Sequence, residues 1–144
     1  MFSKACEYGI KASIYVAGQS MLGKRASLKD IATEINSPVA FTAKILQLLA
    51  KNNILESTKG PSGGFEISKD KIKNIKLAAI VSAIDGDSIF NGCGLGMETC
   101  SEVKPCPVHY KFKEIRESLK KMMEKTSLYE LSLGIKEGFT YLRH

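Results

Sequence analysis

Apolar residues recur at helical spacing through the first third of the chain. Ala5, Tyr8, Ala12, Tyr15 and Val16 follow at steps of three, four, three and one, which predicts a helix over residues 3–18 with Ser3 as its N-cap. Gly18 and Gly23 bracket the turn that follows. Ser27 caps a second helix, with Asp30 as its capping-box partner and Leu28, Ile31, Ala32 and Ile35 as its buried stripe. Asn36-Ser37-Pro38 breaks that helix; Ser37 is placed to cap the next one, which runs from about Pro38 to Asn52. This third helix has two faces. Thr42, Ile45, Leu46 and Leu49 form a mostly apolar stripe, and Ala40, Lys44, Gln47 and Lys51 form a small and polar one.

The period then changes. Residues 54–58 and 65–68 read as strands, separated by Lys59-Gly60-Pro61-Ser62-Gly63-Gly64, a turn rich in glycine and proline. Two short helices about a tight turn, followed by a hairpin, form a winged helix-turn-helix pattern. In that motif the second helix enters the major groove. A further helix is expected over residues 74–84. From Val108 a heptad seam begins: Val108, Phe112, Ile115, Leu119 and Met122, flanked by charges. A seam of this kind must be buried, either against its own domain or, as is preferred here, against a second copy of the chain. Ser127 and Glu130 form a capping box for a last helix, Leu128 to Leu133, and the tail to His144 is expected to be loosely ordered. The fold class is mainly α with a small β-wing and a long C-terminal dimerisation helix. The expected units are residues 1–86 (DNA-binding head), 87–109 (cysteine-rich loop) and 110–144 (dimerisation helix and tail).

Charge sharpens this picture. The net charge is +6, but residues 1–76 hold 12 Lys/Arg against 6 Asp/Glu, whereas residues 77–144 hold 9 of each. A basic head on a neutral second half fits a nucleic-acid reader with a partner-binding extension. No apolar run approaches the roughly 18 residues of a membrane span, and the N-terminus has no signal-peptide core, so a cytoplasmic location is expected. In a reducing compartment clustered cysteines bind metal or react more often than they form structural disulfides.

The cysteines are clustered. Gly92–His109 contains Cys93, Cys100 and Cys106, then a C-x-x-H step to His109, all on one glycine-rich stretch. Three thiols and an imidazole suit an iron–sulfur cluster or tetrahedral zinc. Cys6 stands apart, in the first helix, and reads as a small buried hydrophobe. A catalytic cysteine would need a histidine oriented by a third group. No acidic orienter is evident for His109 or His144, so an enzyme is not expected.

Together these residues resemble the winged-helix repressor family that includes the iron–sulfur cluster regulator, the nitric-oxide-sensing nitrite repressor and the cysteine-metabolism repressor (the Rrf-two family). The likeness rests on Tyr8-Gly9-Ile10-Lys11-Ala12, Leu28-Lys29-Asp30-Ile31-Ala32, Leu48-Leu49-Ala50-Lys51-Asn52-Asn53-Ile54-Leu55, the wing Lys59–Phe65, and Cys106-Pro107-Val108-His109 with the Leu128-x-Glu130-Leu131 box. It implies a homodimer on a pseudo-palindromic double-stranded DNA operator, with a cluster that is altered by nitric oxide, oxidant or iron starvation. Cys93, Cys100 and Cys106 match the family's thiolate ligands. The fourth ligand is His109 in one branch of the family and Glu7 in another, and with it the choice between a [2Fe-2S] and a [4Fe-4S] cluster stays open. Two positions depart from the iron–sulfur regulator type: Ala43 stands in place of a glutamate and Lys59 in place of an arginine. The Cys93–Cys100 spacing is also one residue longer. The DNA-contacting set expected here is Ala40, Phe41, Lys44, Gln47 and Lys51 on the third helix, with Lys59 and Gly60 on the wing. Two control modes follow: a cluster, or a zinc-, thiol- or partner-based switch on the same fold.

Overall fold

Ser3 opens the first helix by accepting the Cys6 amide at 3.0 Å, and α1 continues over Lys4–Met21 in the computed structural model, which describes residues 1–143. It runs three residues past the expected end and stops at Leu22 and Gly23. Ser27 then accepts the Asp30 amide to start α2 (Leu28–Glu34). The turn through Asn36, Ser37 and Pro38 leads into α3 (Val39–Lys51). Here the expected capping role of Ser37 is taken differently. Pro38 occupies the cap position without a side-chain bond, while the Ser37 hydroxyl pairs with the Thr42 hydroxyl, which itself donates to the Pro38 carbonyl at 2.7 Å.

β1 (Glu56–Thr58) and β2 (Gly64–Glu66) pair antiparallel, with Ser57 opposite Phe65. The strands are shorter than the alternation predicts because their ends have other work. Ile54 and Leu55 are buried in the core, and the Ile67 amide donates to Ser20 Oγ of α1 at 2.9 Å. A short α4 (Lys69–Ile72) follows, then α5 (Leu77–Asp85) and a single turn, α6 (Ser88–Asn91). Neither α4 nor α6 is long enough to carry a periodic signal. The cysteine stretch fills residues 92–108, followed by α7 (His109–Lys125) and α8 (Leu128–Lys136).

α1 is the hub. Ala12, Val16 and Ala17 lie in a solvent-free core with Ile31, Ile35, Leu46, Leu49, Ile80 and Leu128. A second cluster of Cys6, Leu77, Val81, Phe90 and Met123 seats α7 on α5. The expected unit of residues 110–144 is therefore divided in its packing. α7 turns its seam outward, with Phe112, Ile115 and Met122 between 41% and 66% exposed. α8 returns to the head instead. Lys76 bridges to Ser127, the Leu128 amide donates to Ile75 O at 3.0 Å, and Ser132 Oγ donates to Leu128 O at 2.7 Å, lying 3.3 Å from Ile14 O.

Leu49 is fully buried on the inner stripe of α3. Leu49→Ala should lower unfolding free energy by about 2–5 kcal/mol, the sum of lost transfer energy and the cavity left behind. Urea unfolding followed by circular dichroism measures this; a loss below 1 kcal/mol would mean that α3 does not pack as described.

Candidate functional site

The outer face of α3 is set by its inner one. With Thr42, Ile45, Leu46 and Leu49 buried, Ala40, Lys44, Gln47 and Lys51 are all exposed. Phe41 differs from its neighbours: it is half-buried, edge-on to Tyr8 with centroids 5.7 Å apart, so one edge of its ring joins the α1–α3 contact. Val39, which sequence reasoning passed over, is 52% exposed at the first position of α3. It gives the helix start an apolar atom group able to meet a thymine methyl. Only its absence from the buried stripe could have flagged it. The α3 N-terminus has no side-chain cap, so its first amides are free to face a phosphate.

The wing tip, Lys59 and Gly60, is exposed, and its base is fixed at three places. Ala26 and Phe65 exchange backbone hydrogen bonds of 2.9 and 2.8 Å. Arg25 pairs with Glu66 at 3.2 Å and donates to the Ser62 carbonyl at 3.3 Å. Ser20 receives the Ile67 amide. Arg25 reads in the sequence as one more surface cation; only its register with β2 reveals that it braces the wing. Among the described residues Lys44, Lys51 and Lys59 form no ion pair, which leaves their charge available to a polyanion. Lys59→Ala should weaken binding evenly across DNA sequences and reduce the slope of log K against log salt by about 1. Titrations at several salt concentrations measure this; an unchanged slope would remove Lys59 from the phosphate contacts.

The cysteine stretch holds two pairs. Cys93 and Cys106 face each other with sulfurs 4.0 Å apart. Cys100 Sγ lies 3.4 Å from His109 Nδ1, at the start of α7. All three cysteines are half-buried free thiols. Backbone amides of Leu95 and Met97 lower the Cys93 thiol from its ordinary value, the Leu95 amide lying at 3.4 Å. His109 is buried, and its Nε2 has no hydrogen-bond partner among the described residues. Among the described residues no three His, Cys, Asp or Glu side chains form a group that could hold a metal ion as placed. The donor types still fit a soft metal: three thiols and one imidazole, whose buried Nε2 is unpartnered among the described residues.

Glu7 and Cys6 stand apart from this stretch. Glu7 pairs with Lys4 at 3.3 Å on α1. Cys6 lies in the α5–α7 core, its thiol pushed up to about 12 by burial and then by Asp85.

A sequence profile described as "Rrf2: Iron-dependent Transcriptional regulator" matches residues 2–133. A protein of Aquifex aeolicus (strain VF5), provisionally named an HTH-type transcriptional regulator, is 29% identical over 91% of this chain and 90% of its own length. The HTH-type transcriptional regulator IscR of Yersinia pseudotuberculosis serotype O:1b (strain IP 31758) is 27% identical over 86% of this chain and 74% of its own. In structure the chain is similar to CymR (YrzC), the global cysteine regulator of B. subtilis. The TM-score is 0.74, the identity 20%, and the match covers 92% of this chain and 96% of that one. A mostly helical chain with a two-stranded wing, an exposed basic α3 face and a match over nearly its whole length belongs to the Rrf2 family of transcriptional regulators.

Proposed function

We propose that this regulator binds a double-stranded DNA operator as a homodimer under the control of an iron–sulfur cluster held by Cys93, Cys100, Cys106 and His109. The observation that carries the reading is the arrangement of the two donor pairs, Cys93 with Cys106 and Cys100 with His109, on one stretch that abuts α7. His109 is favoured over Glu7 as the fourth ligand because it already lies against Cys100, whereas Glu7 is engaged with Lys4. The family description, which speaks of iron dependence, supports the same choice.

When bound, a cluster supplies iron–thiolate bonds that oxidants, nitric oxide or iron loss can break. The rest is done by this chain. Lys44 and Gln47 present donors and acceptors to base edges, with Ala40 and Val39 offering apolar contact. Lys51, Lys59 and the backbone at Gly60 hold phosphate or the minor groove. A second copy covers the exposed seam of α7, and the angle between the two seams sets the distance between the two α3 helices. DNA requires that distance to be close to one helical turn, about 34 Å. The order of residues 92–108, next to α7, tunes it.

A second reading has one specific observation behind it. The 4.0 Å approach of Cys93 to Cys106 suits a thiol switch without iron. One experiment separates the two. The full chain is reconstituted anaerobically with iron and sulfide, and its absorbance, iron, sulfide and zinc are measured. Visible absorbance with iron and sulfide supports the cluster. A colourless protein without iron overturns it, and a Cys93–Cys106 disulfide on air oxidation would then support the thiol switch.

A further inference from the structure

Arg116 belongs neither to the donor pairs nor to the DNA-facing set, yet it touches the cysteine stretch at two points. It stands two turns along α7 from His109, so the two side chains share one helix face. One guanidinium nitrogen donates to the Gly92 carbonyl at 2.8 Å and the other to Cys100 Sγ at 3.4 Å. Gly92 is where the stretch begins and Cys100 is its midpoint. A single planar fork therefore closes residues 92–100 into a loop and fastens that loop to α7. Neighbouring contacts follow the same face. Lys113, one turn before Arg116, pairs with Glu102, and the Phe112 ring lies so close over Gly94 that a Cβ there would come within 2.5 Å of it. Of these contacts only Arg116 brings a positive charge to a thiol sulfur, and only a guanidinium presents two donors in the fixed plane this bridge uses.

We propose that Arg116 is a positioning residue for the metal-binding loop: it holds Cys100 in place, ties the order of residues 92–100 to α7, and sets the potential of a cluster bound there. This rests on the cluster reading for its third part and on the geometry alone for the first two. A cation hydrogen-bonded to a ligand sulfur favours the reduced, more negative form of a cluster, so its removal makes the potential more negative.

The test uses the full-length chain and the variants R116A and R116K. In the metal-free protein, hydrogen exchange at the amides of residues 92–100 should quicken by about tenfold in R116A, the loss expected of a charge-assisted bond. R116K should fall between R116A and the parent, because an ammonium reaches one acceptor and not both. In the iron- and sulfide-loaded protein, R116A should have a more negative midpoint potential, with R116K near the parent because its charge is kept. A merely structural role would leave that potential unmoved. If R116A folds poorly, R116K still decides, since an exchange profile identical to the parent's would remove the bridge. If the parent itself takes up no cluster, the cluster reading fails and the exchange measurement alone judges the tether. Parent-like exchange and parent-like potential in R116A would overturn the inference.

Discussion

Cys100→Ala should give a folded protein that takes up no iron–sulfur cluster, its visible absorbance falling to background after anaerobic reconstitution. Cys100 sits between His109 and Arg116, in contact with both, so its loss removes one donor and the anchor of the loop together. The contrast is Cys6→Ala. Cys6 is fully buried with Leu77, Val81 and Met123, and burial holds its thiol protonated, up to about 12. Its removal should cost about 1 kcal/mol of stability, as for deleting one buried heavy atom, and leave the spectrum intact. Iron and sulfide assays on the two variants side by side provide the measurement. A full cluster in Cys100→Ala, or a lost one in Cys6→Ala, would show that the ligand set is wrongly assigned.

Gly64→Ala should damage the wing from its base. Gly64 opens β2 with φ +141°, a conformation side chains rarely adopt, and a Cβ there would lie 2.7 Å from the Ala26 carbonyl oxygen. That obstacle is backbone and cannot rotate away. Relief requires the Ala26–Phe65 bonds to open, so backbone strain and lost hydrogen bonds together should cost about 2–4 kcal/mol. Operator affinity should fall as well, by about tenfold if one wing contact is lost. Gly60→Ala is the comparison. Its φ is +103°, but nothing lies within 4 Å of an added Cβ, so only the strain at the tip remains. Thermal melts and DNA titrations on both variants separate anchoring from tip conformation. Equal stability losses would show that the base of the wing is not clamped by Ala26.

The helices that carry a full stripe of buried residues were legible: α1, α2, α3, α5, α7 and α8 each announce a period, and Ser3, Ser27 and Ser127 cap three of them as their spacing predicts. Four-residue turns such as α4 and α6 are too short for periodicity and went unread. The first strand is overdrawn at its start and the second at its end because alternation cannot distinguish a ladder partner from a core pocket or a serine hydroxyl. The α7 seam was read as a face in need of cover, and Phe112, Ile115 and Met122 are indeed exposed. The seam residue Leu119 and its neighbour Met123 make the inward contact, and a residue's shift around a helix is finer than a heptad pattern resolves. Three features depend on distance in the fold and leave no local mark: the pairing of Cys93 with Cys106, the bracing of the wing by Arg25, and the reach of Arg116 to Gly92. Phe41 has a second contact that its place in the motif does not announce: its half-buried ring also packs edge-on against Tyr8 of α1.

The return of α8 to α1 bears on how the chain is made. On the ribosome, residues 1–86 emerge well before Leu128 and Ser132, so the face of α1 around Ile14 stays uncovered until α8 has been made. The head, although it is the amino-terminal part, cannot finish folding as a nascent unit. The contacts of α8 with α1 are far apart in sequence, and contacts of that kind slow folding. A premature stop before Leu128 would thus release a reader of DNA with an open flank, prey to proteolysis and aggregation rather than a functional short form.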